Sequence, residues 1–156
     1  MQLRGEEMRI ENEKDWIEIE FKQYAKETEF VIQGLIDEEN CVEIDFDFNI
    51  ENDGWGCVGD EFFYTKDIKA IATGFSRIVY GINRCFEYSG HYPYKSLTPD
   101  PFYKFNIVQN EKMIVFSLTI HDRLSDYITV TETMELSKFE QITNEFIEAA
   151  KRFPIK

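Results

Sequence analysis

Gly54-Trp55-Gly56-Cys57-Val58-Gly59 spells G-x-G-x-x-G, the spacing with which a strand-to-helix turn brings its backbone against a pyrophosphate. That chemistry needs a particular setting. The strand before the glycines should be parallel and buried on both faces, hence apolar almost throughout. The third glycine should open a helix whose N-terminal N–H groups receive the anion. Here "VEIDFDFNI" (42–50) precedes, and it alternates apolar residues with carboxylates. "DEFFYT" follows, so the helical pattern starts late, and Glu51, Asp53, Asp60 and Glu61 would repel phosphate. The expectation is a turn or bulged loop between antiparallel strands, with glycines for positive φ. No nucleotide and no other cofactor is expected. Trp55, at the tip, reads as a partner contact or a lid on the core.

"DFDFN" from Asp45 starts like a calcium loop, but position six is Ile50 where glycine is required, and position twelve is Gly56 where glutamate is. Strand alternation explains the run better. Cys41, Cys57, Cys85, His91 and His121 contain none of the close pairs that zinc sites use, so no metal is expected. A Cys–His catalytic pair is the sharper reading of these residues; scattered core and surface positions are the commoner one. There is no G-x-S-x-G, H-E-x-x-H or Walker loop, and no catalytic residue is assigned.

The elements that must position these residues follow from periodicity. "WIEIEFKQY" (16–24), "EFVIQGLI" (29–36) and "VEIDFDFNI" read as strands. From Thr65, a plausible N-cap, Ile68, Ile71, Ala72, Phe75, Ile78, Val79 and Ile82 fall at helical spacing, and Gly81 and Asn83 suit the end. Three more strands follow at 100–109, 112–121 and 126–136, and then a helix opens on a Ser137–Glu140 capping box and closes before Pro154. A shift of 71 residues places Ile68 on Phe139, Ile71 on Ile142 and Phe75 on Phe146. The fold class expected is α+β, with mainly antiparallel sheets, two helices near 66–83 and 137–152, and two β-β-β-α halves. One domain spans 1–156: an acidic half (1–85), a linker rich in proline and aromatics (86–105), and a second half (106–156). A ligand pocket using Tyr88, His91, Tyr92 and Tyr94 of that linker is an alternative to simple packing over the sheet.

The net charge is −13, and residues 1–61 hold 19 of the 30 acidic side chains but 5 of the 17 basic ones. Such a surface repels nucleic acid and anionic membranes and attracts a basic protein. No apolar run is long enough to span a membrane, and "MQLRGEEMRIENEKDW" holds no signal-peptide stretch, so a cytoplasmic location is expected. Three widely spaced cysteines argue against a disulfide framework. Glu18, Glu20, Glu43, Asp45 and Asp47 fall on the polar faces of the expected strands, and across a ladder they would repel one another unless a cation or partner intervened.

The blocks "GWGCVGDEFFYTKDIKAIATGFSRIVYG", "FYKFNI", "KMIVFSLTI" and "YITVTETMELSKFEQITNEFIEAA" together resemble the small immunity proteins of bacterial polymorphic toxin systems, in particular the WapI-type group. The resemblance runs from about Trp16 to Phe153. It implies a non-enzymatic protein that binds and blocks one cognate toxin domain, often a basic nuclease. It offers no catalytic residues to carry over. The residues themselves nominate Glu43, Asp45, Asp47, Trp55 and Asp60 as the partner-binding set. The competing class is a small-ligand or carbohydrate-binding domain that uses the aromatic linker.

Overall fold

The computed structural model of the chain describes residues 8–24, 40–50, 54–90, 103–121 and 127–156. Two antiparallel four-stranded sheets, each followed by a helix, account for nearly all of them. The first sheet runs in chain order through β1 (Met8–Glu11), β2 (Trp16–Tyr24), β3 (Cys41–Ile50) and β4 (Gly54–Tyr64), and leads into α1 (Thr65–Val79). The second repeats the plan with β5 (Cys85–Gly90), β6 (Tyr103–Asn110), β7 (Met113–His121), β8 (Tyr127–Glu135) and α2 (Leu136–Arg152). The fold is α+β with the expected pair of helices. Among the described residues each half shows four strands where the sequence pattern marked three. The expected strand at 29–36 lies outside the described residues.

Two corrections concern strands. The supposed linker 86–105 contains β5 and the start of β6, which pair from Cys85↔Val108 to Gly90↔Tyr103. Aromatic density hid a strand there, because β5 buries Phe86 and Tyr88 only partly and its alternation is weak. The glycine segment is also a strand. β4 returns along β3 from Ile50↔Gly54 to Cys41↔Tyr64, with one register shift between Ile44 and Phe46. A Cβ on Gly56 would lie 2.4 Å from the ring of Phe48, its cross-strand partner, so the glycine here makes room for an aromatic ring.

Helix ends depart from expectation for local reasons. Thr65 is the first helical residue of α1, not its cap. The N-cap is Tyr64, which makes no side-chain capping bond. The Thr65 backbone N–H instead donates to the Asn40 carbonyl at 2.8 Å. Likewise α2 starts at Leu136 after an uncapped Glu135, one residue ahead of the expected capping box. At the other end α1 stops at Val79, short of the expected 83, and Ile82, counted on the apolar stripe, lies exposed beyond it. Gly81 takes φ +75°, its N–H reaches the Ile78 carbonyl at 3.0 Å, and the Ile82 N–H reaches the Arg77 carbonyl at 2.8 Å. Those two bonds form a Schellman motif, whose left-handed position glycine fills without strain.

One core serves both halves. Ile17, Ile19, Ile44, Phe46 and Phe63 from the first sheet and Phe105, Ile107, Phe116 and Leu118 from the second join a single buried cluster with both helices. Phe75 of α1 sits at its centre, 5.2–5.7 Å from the rings of Phe86, Phe105, Phe116, Phe139 and Phe146. Rings on both helices reach across the halves. Phe75 of the first half packs on β5, β6 and β7 of the second. In return, Phe146 of α2 meets Phe21 of β2 at 5.5 Å, and Tyr24 donates its hydroxyl to the Pro154 carbonyl at 3.0 Å. At the sheet edges Glu11 N–H donates to Glu132 at 2.8 Å and Asn12 to the Thr131 carbonyl at 3.0 Å, which ties β1 to β8. No described helix is long and apolar enough to cross a membrane.

Candidate functional site

The carboxylates singled out in the sequence do meet. The register between β2 and β3 sets Glu18 opposite Asp47 and Glu20 opposite Asp45. Ile17, Ile19, Phe46 and Phe48 point into the core, so period-two alternation turns all four acids to the other face. Along each strand the two charges recur about every 6.7 Å, and the strands lie about 4.8 Å apart. Each directly opposed like-charge pair costs up to roughly 1 kcal/mol unless it is relieved.

Two cations relieve part of it. Lys22 donates to Asp45 at 3.1 Å. Its pKa is raised from the ordinary lysine value, first by that hydrogen bond and the Asp45 charge, then by Glu43 and Glu20. Arg9, opposite Glu18 in β1, approaches Glu18 and Glu11 at 3.5 Å each while lying 4.3 Å over the Trp16 ring. Four carboxylates thus share the outer face of the β2–β3 ladder, with Arg9 beside Glu18 and Lys22 beside Asp45. The side chains of Glu18 and Asp45 are 21% and 20% exposed, enough for their oxygens to meet a partner.

The five nominated residues divide. Asp45 and Asp47 lie on this face. Glu43 is on the same strand but is buried at 7% exposure, so it acts on the face through the field it exerts at Lys22. Alternation alone could not foresee this, because Glu43 occupies an outward position in the pattern and is covered only in the folded chain. Trp55 and Asp60 belong to the backbone of β4, where Trp55 pairs with Asn49; their side chains are outside the described set. Glu18 and Glu20 were noted for their repulsion but not nominated. The register that sets them against Asp47 and Asp45 is the signal, and it is visible only once β2 and β3 are paired.

The other motifs resolve into strands. Asp45 and Asp47 lie on strand β3 and not on a loop that curls around calcium. Among the described residues no three His, Cys, Asp or Glu side chains converge as a metal site. Cys41 is buried and Cys85 exposed, and the His121 ring lies tilted against that of Tyr127 at 4.9 Å. The fingerprint glycines lie inside an antiparallel strand, so no helix N-terminus stands at Gly59.

A second feature was only partly foreseen. Tyr88 of β5 donates a short hydrogen bond to the buried Asp67 in the first turn of α1. Burial, then that bond and the Asp67 charge, push the Tyr88 phenol well up. Burial does the same for Tyr103, 1% exposed beside them. Tyr88 and Asp67 line an open cleft of about 490 Å³ with Tyr64, Lys66, Ser89 and Gly90. His91, Tyr92 and Tyr94, the other residues of the envisaged aromatic pocket, lie outside the described residues.

No protein-family signature and no curated protein matches this sequence. Solved structures do resemble it in shape. WHY1 from Arabidopsis thaliana aligns over 94% of this chain and 89% of its own, with a TM-score of 0.51 and 9% identity. WHY3 from the same plant aligns over 94% and 87%, at 0.49 and 12%. The plant transcriptional regulator PBF-2 aligns over 94% and 81%, at 0.49 and 10%. The likeness is one of fold alone.

Proposed function

We propose that this protein is an immunity protein that binds a cognate toxin domain through the outer face of its first sheet and blocks it by occlusion, with no catalysis of its own. The observation that carries the reading is the register that sets carboxylates opposite one another on the outer face, Glu18 with Asp47 and Glu20 with Asp45. A folded chain gains nothing from placing like charges across a ladder, and a basic partner would relieve the repulsion. A nuclease fits that charge best, because carboxylates at regular intervals stand where substrate phosphates would otherwise bind. Trp55, whose backbone pairs with Asn49 of β3, is kept in the proposed set as its apolar member. The pattern-level resemblance to WapI-type immunity proteins points the same way. Nucleic acid is a poor partner for a chain of net charge −13. Fold likeness to a plant transcriptional regulator at 10% identity does not outweigh that charge.

The test begins with co-purification from the native host, which identifies the partner. Asp45→Lys/Asp47→Lys is then compared with wild type by stopped-flow association at low and high salt. The double variant associates more slowly, and the difference narrows as salt rises, because complementary fields steer the encounter. Equal association at low salt would remove the acidic face from the mechanism.

A second reading has its own observation. The cleft at Tyr88 and Asp67 offers a ring and a hydroxyl–carboxylate pair to a small polar ligand such as a sugar. Shifts of the Tyr88 ring resonances on titration with mono- and oligosaccharides would favour it. Saturating sugar that leaves the spectrum unchanged would dismiss it.

A further inference from the structure

We infer that the groove between α1 and α2 is a second docking surface, one that takes an acidic amphipathic helix of a partner protein. It lies apart from the carboxylate face, has the opposite charge, and does not rest on the immunity reading. A cleft of about 610 Å³ runs between the helices. Its floor is apolar: Ala72, Ile147, Ala150 and Phe153. Small residues on both helices let another backbone approach closely. Tyr80 and Ile155 border it, 79% and 53% exposed, and carry its apolar surface out to solvent.

The rim is cationic. Lys69, Thr73 and Arg77 form an exposed ridge at four-residue spacing along α1, and Lys66 extends it by nearly a turn. A second hollow of about 530 Å³ lies beyond the ridge and shares Lys69, Thr73, Arg77 and Ile155 with the first. Elsewhere Arg9, Lys22, Lys104 and Lys138 each pair with a carboxylate. Lys66, Lys69 and Arg77 make no ion pair among the described residues. Across the cleft Lys151 is held at 3.4 Å by Glu148, so the ridge supplies the uncompensated charge.

Helix stability does not account for the ridge. The macrodipole favours Arg77 in the last turn of α1, disfavours Lys66 in the first, and does not reach Lys69. From Lys66 to Arg77 the ridge is about 16 Å long, room for about three turns of a bound helix. Such a helix would seat apolar residues at i, i+3, i+4 and i+7 on the floor and place glutamates or aspartates against the ridge.

The experiment uses two fluorescein-labelled helical peptides with the same leucine face, one flanked by glutamates and the other by lysines, read by anisotropy with the full chain. The acidic peptide binds saturably and the basic one does not. Lys69→Glu/Arg77→Glu weakens the acidic peptide at least ~tenfold, and the loss shrinks in high salt. Lys104→Glu, a cation on the second sheet, leaves binding unchanged and serves as the charge control. Ala150→Trp fills the floor and abolishes binding while the ridge stays intact. Failure of the acidic peptide to bind, or equal affinity in the Lys69→Glu/Arg77→Glu variant, would overturn the inference. So would two other outcomes: tighter binding of a single-stranded oligonucleotide, making the ridge a phosphate site, or self-association of the protein alone that Lys69→Glu/Arg77→Glu abolishes, making the occupant a second copy.

Discussion

At the scale of single residues, the most instructive positions are those where two effects compete. Gly74 lies in the interior of α1, where replacing glycine by alanine gains about 1 kcal/mol of helix propensity. A Cβ there would come within 2.1 Å of the Phe86 ring. That ring is held edge-on by Phe75 at 5.7 Å and stacked on Tyr88 at 6.1 Å, so it has little room to swing away. Overpacking of this kind costs about 1–3 kcal/mol, which outweighs the propensity gain. Urea unfolding of Gly74→Ala is expected to give a net loss of up to about 2 kcal/mol. A stabilised variant would mean that the ring moves freely. Lys22 offers a pH prediction. Its pKa is raised in the folded chain, chiefly by the hydrogen bond to Asp45, so its contribution is fully present below the ordinary lysine value and is lost as pH rises through the folded value. Stability of the wild type therefore falls in the alkaline range above about 10.4, and Lys22→Met flattens that fall. Parallel alkaline profiles for the two proteins would count against the clamp.

At the scale of elements, β3 and β4 decide the nucleotide question. A pyrophosphate site needs a strand, a tight turn and a helix N-terminus in immediate succession. β4 instead runs unbroken from Gly54 to Tyr64, and α1 begins only at Thr65. Calorimetric titration with NAD or ATP is expected to show no heat. Saturable micromolar binding that Gly56→Ala abolishes would reverse this conclusion. The same hairpin shows how far local pattern reaches. Val42 to Ile50 alternates so cleanly that strand, face and inward residues all follow from it. β1 is too short to show a period, and β4 is interrupted by three glycines, so neither has a signal of its own; both become strands because a neighbour offers a ladder to pair with. The helices were legible because five or more apolar positions fall on one stripe of each. Their caps were not, since Asn40, which receives the Thr65 N–H, is distant in sequence.

At the scale of the whole molecule, both sheets and both helices contribute to one core around Phe75. Unfolding is expected to be a single transition. Tryptophan fluorescence reports the first half, which contains both Trp16 and Trp55, and it should superimpose on far-UV circular dichroism. Phe75→Ala should lower both probes together by about 3–5 kcal/mol. Separated transitions would show two independently folding halves. The sequence by itself determined the class of the protein: alternation wrote most of the strands, helical spacing wrote both helices, and the distribution of Asp and Glu wrote an acidic first half. These are properties of neighbouring residues, and periodicity reports them directly. Only the tertiary structure decided which carboxylates stand opposite one another, that Glu43 is buried while Asp45 and Asp47 stay at the surface, and that cations of α1 meet the apolar floor of α2. Those outcomes depend on register and on contacts between residues far apart in the chain. A shift of one residue in the β2–β3 pairing would have dispersed the acidic face without changing a single letter of either strand.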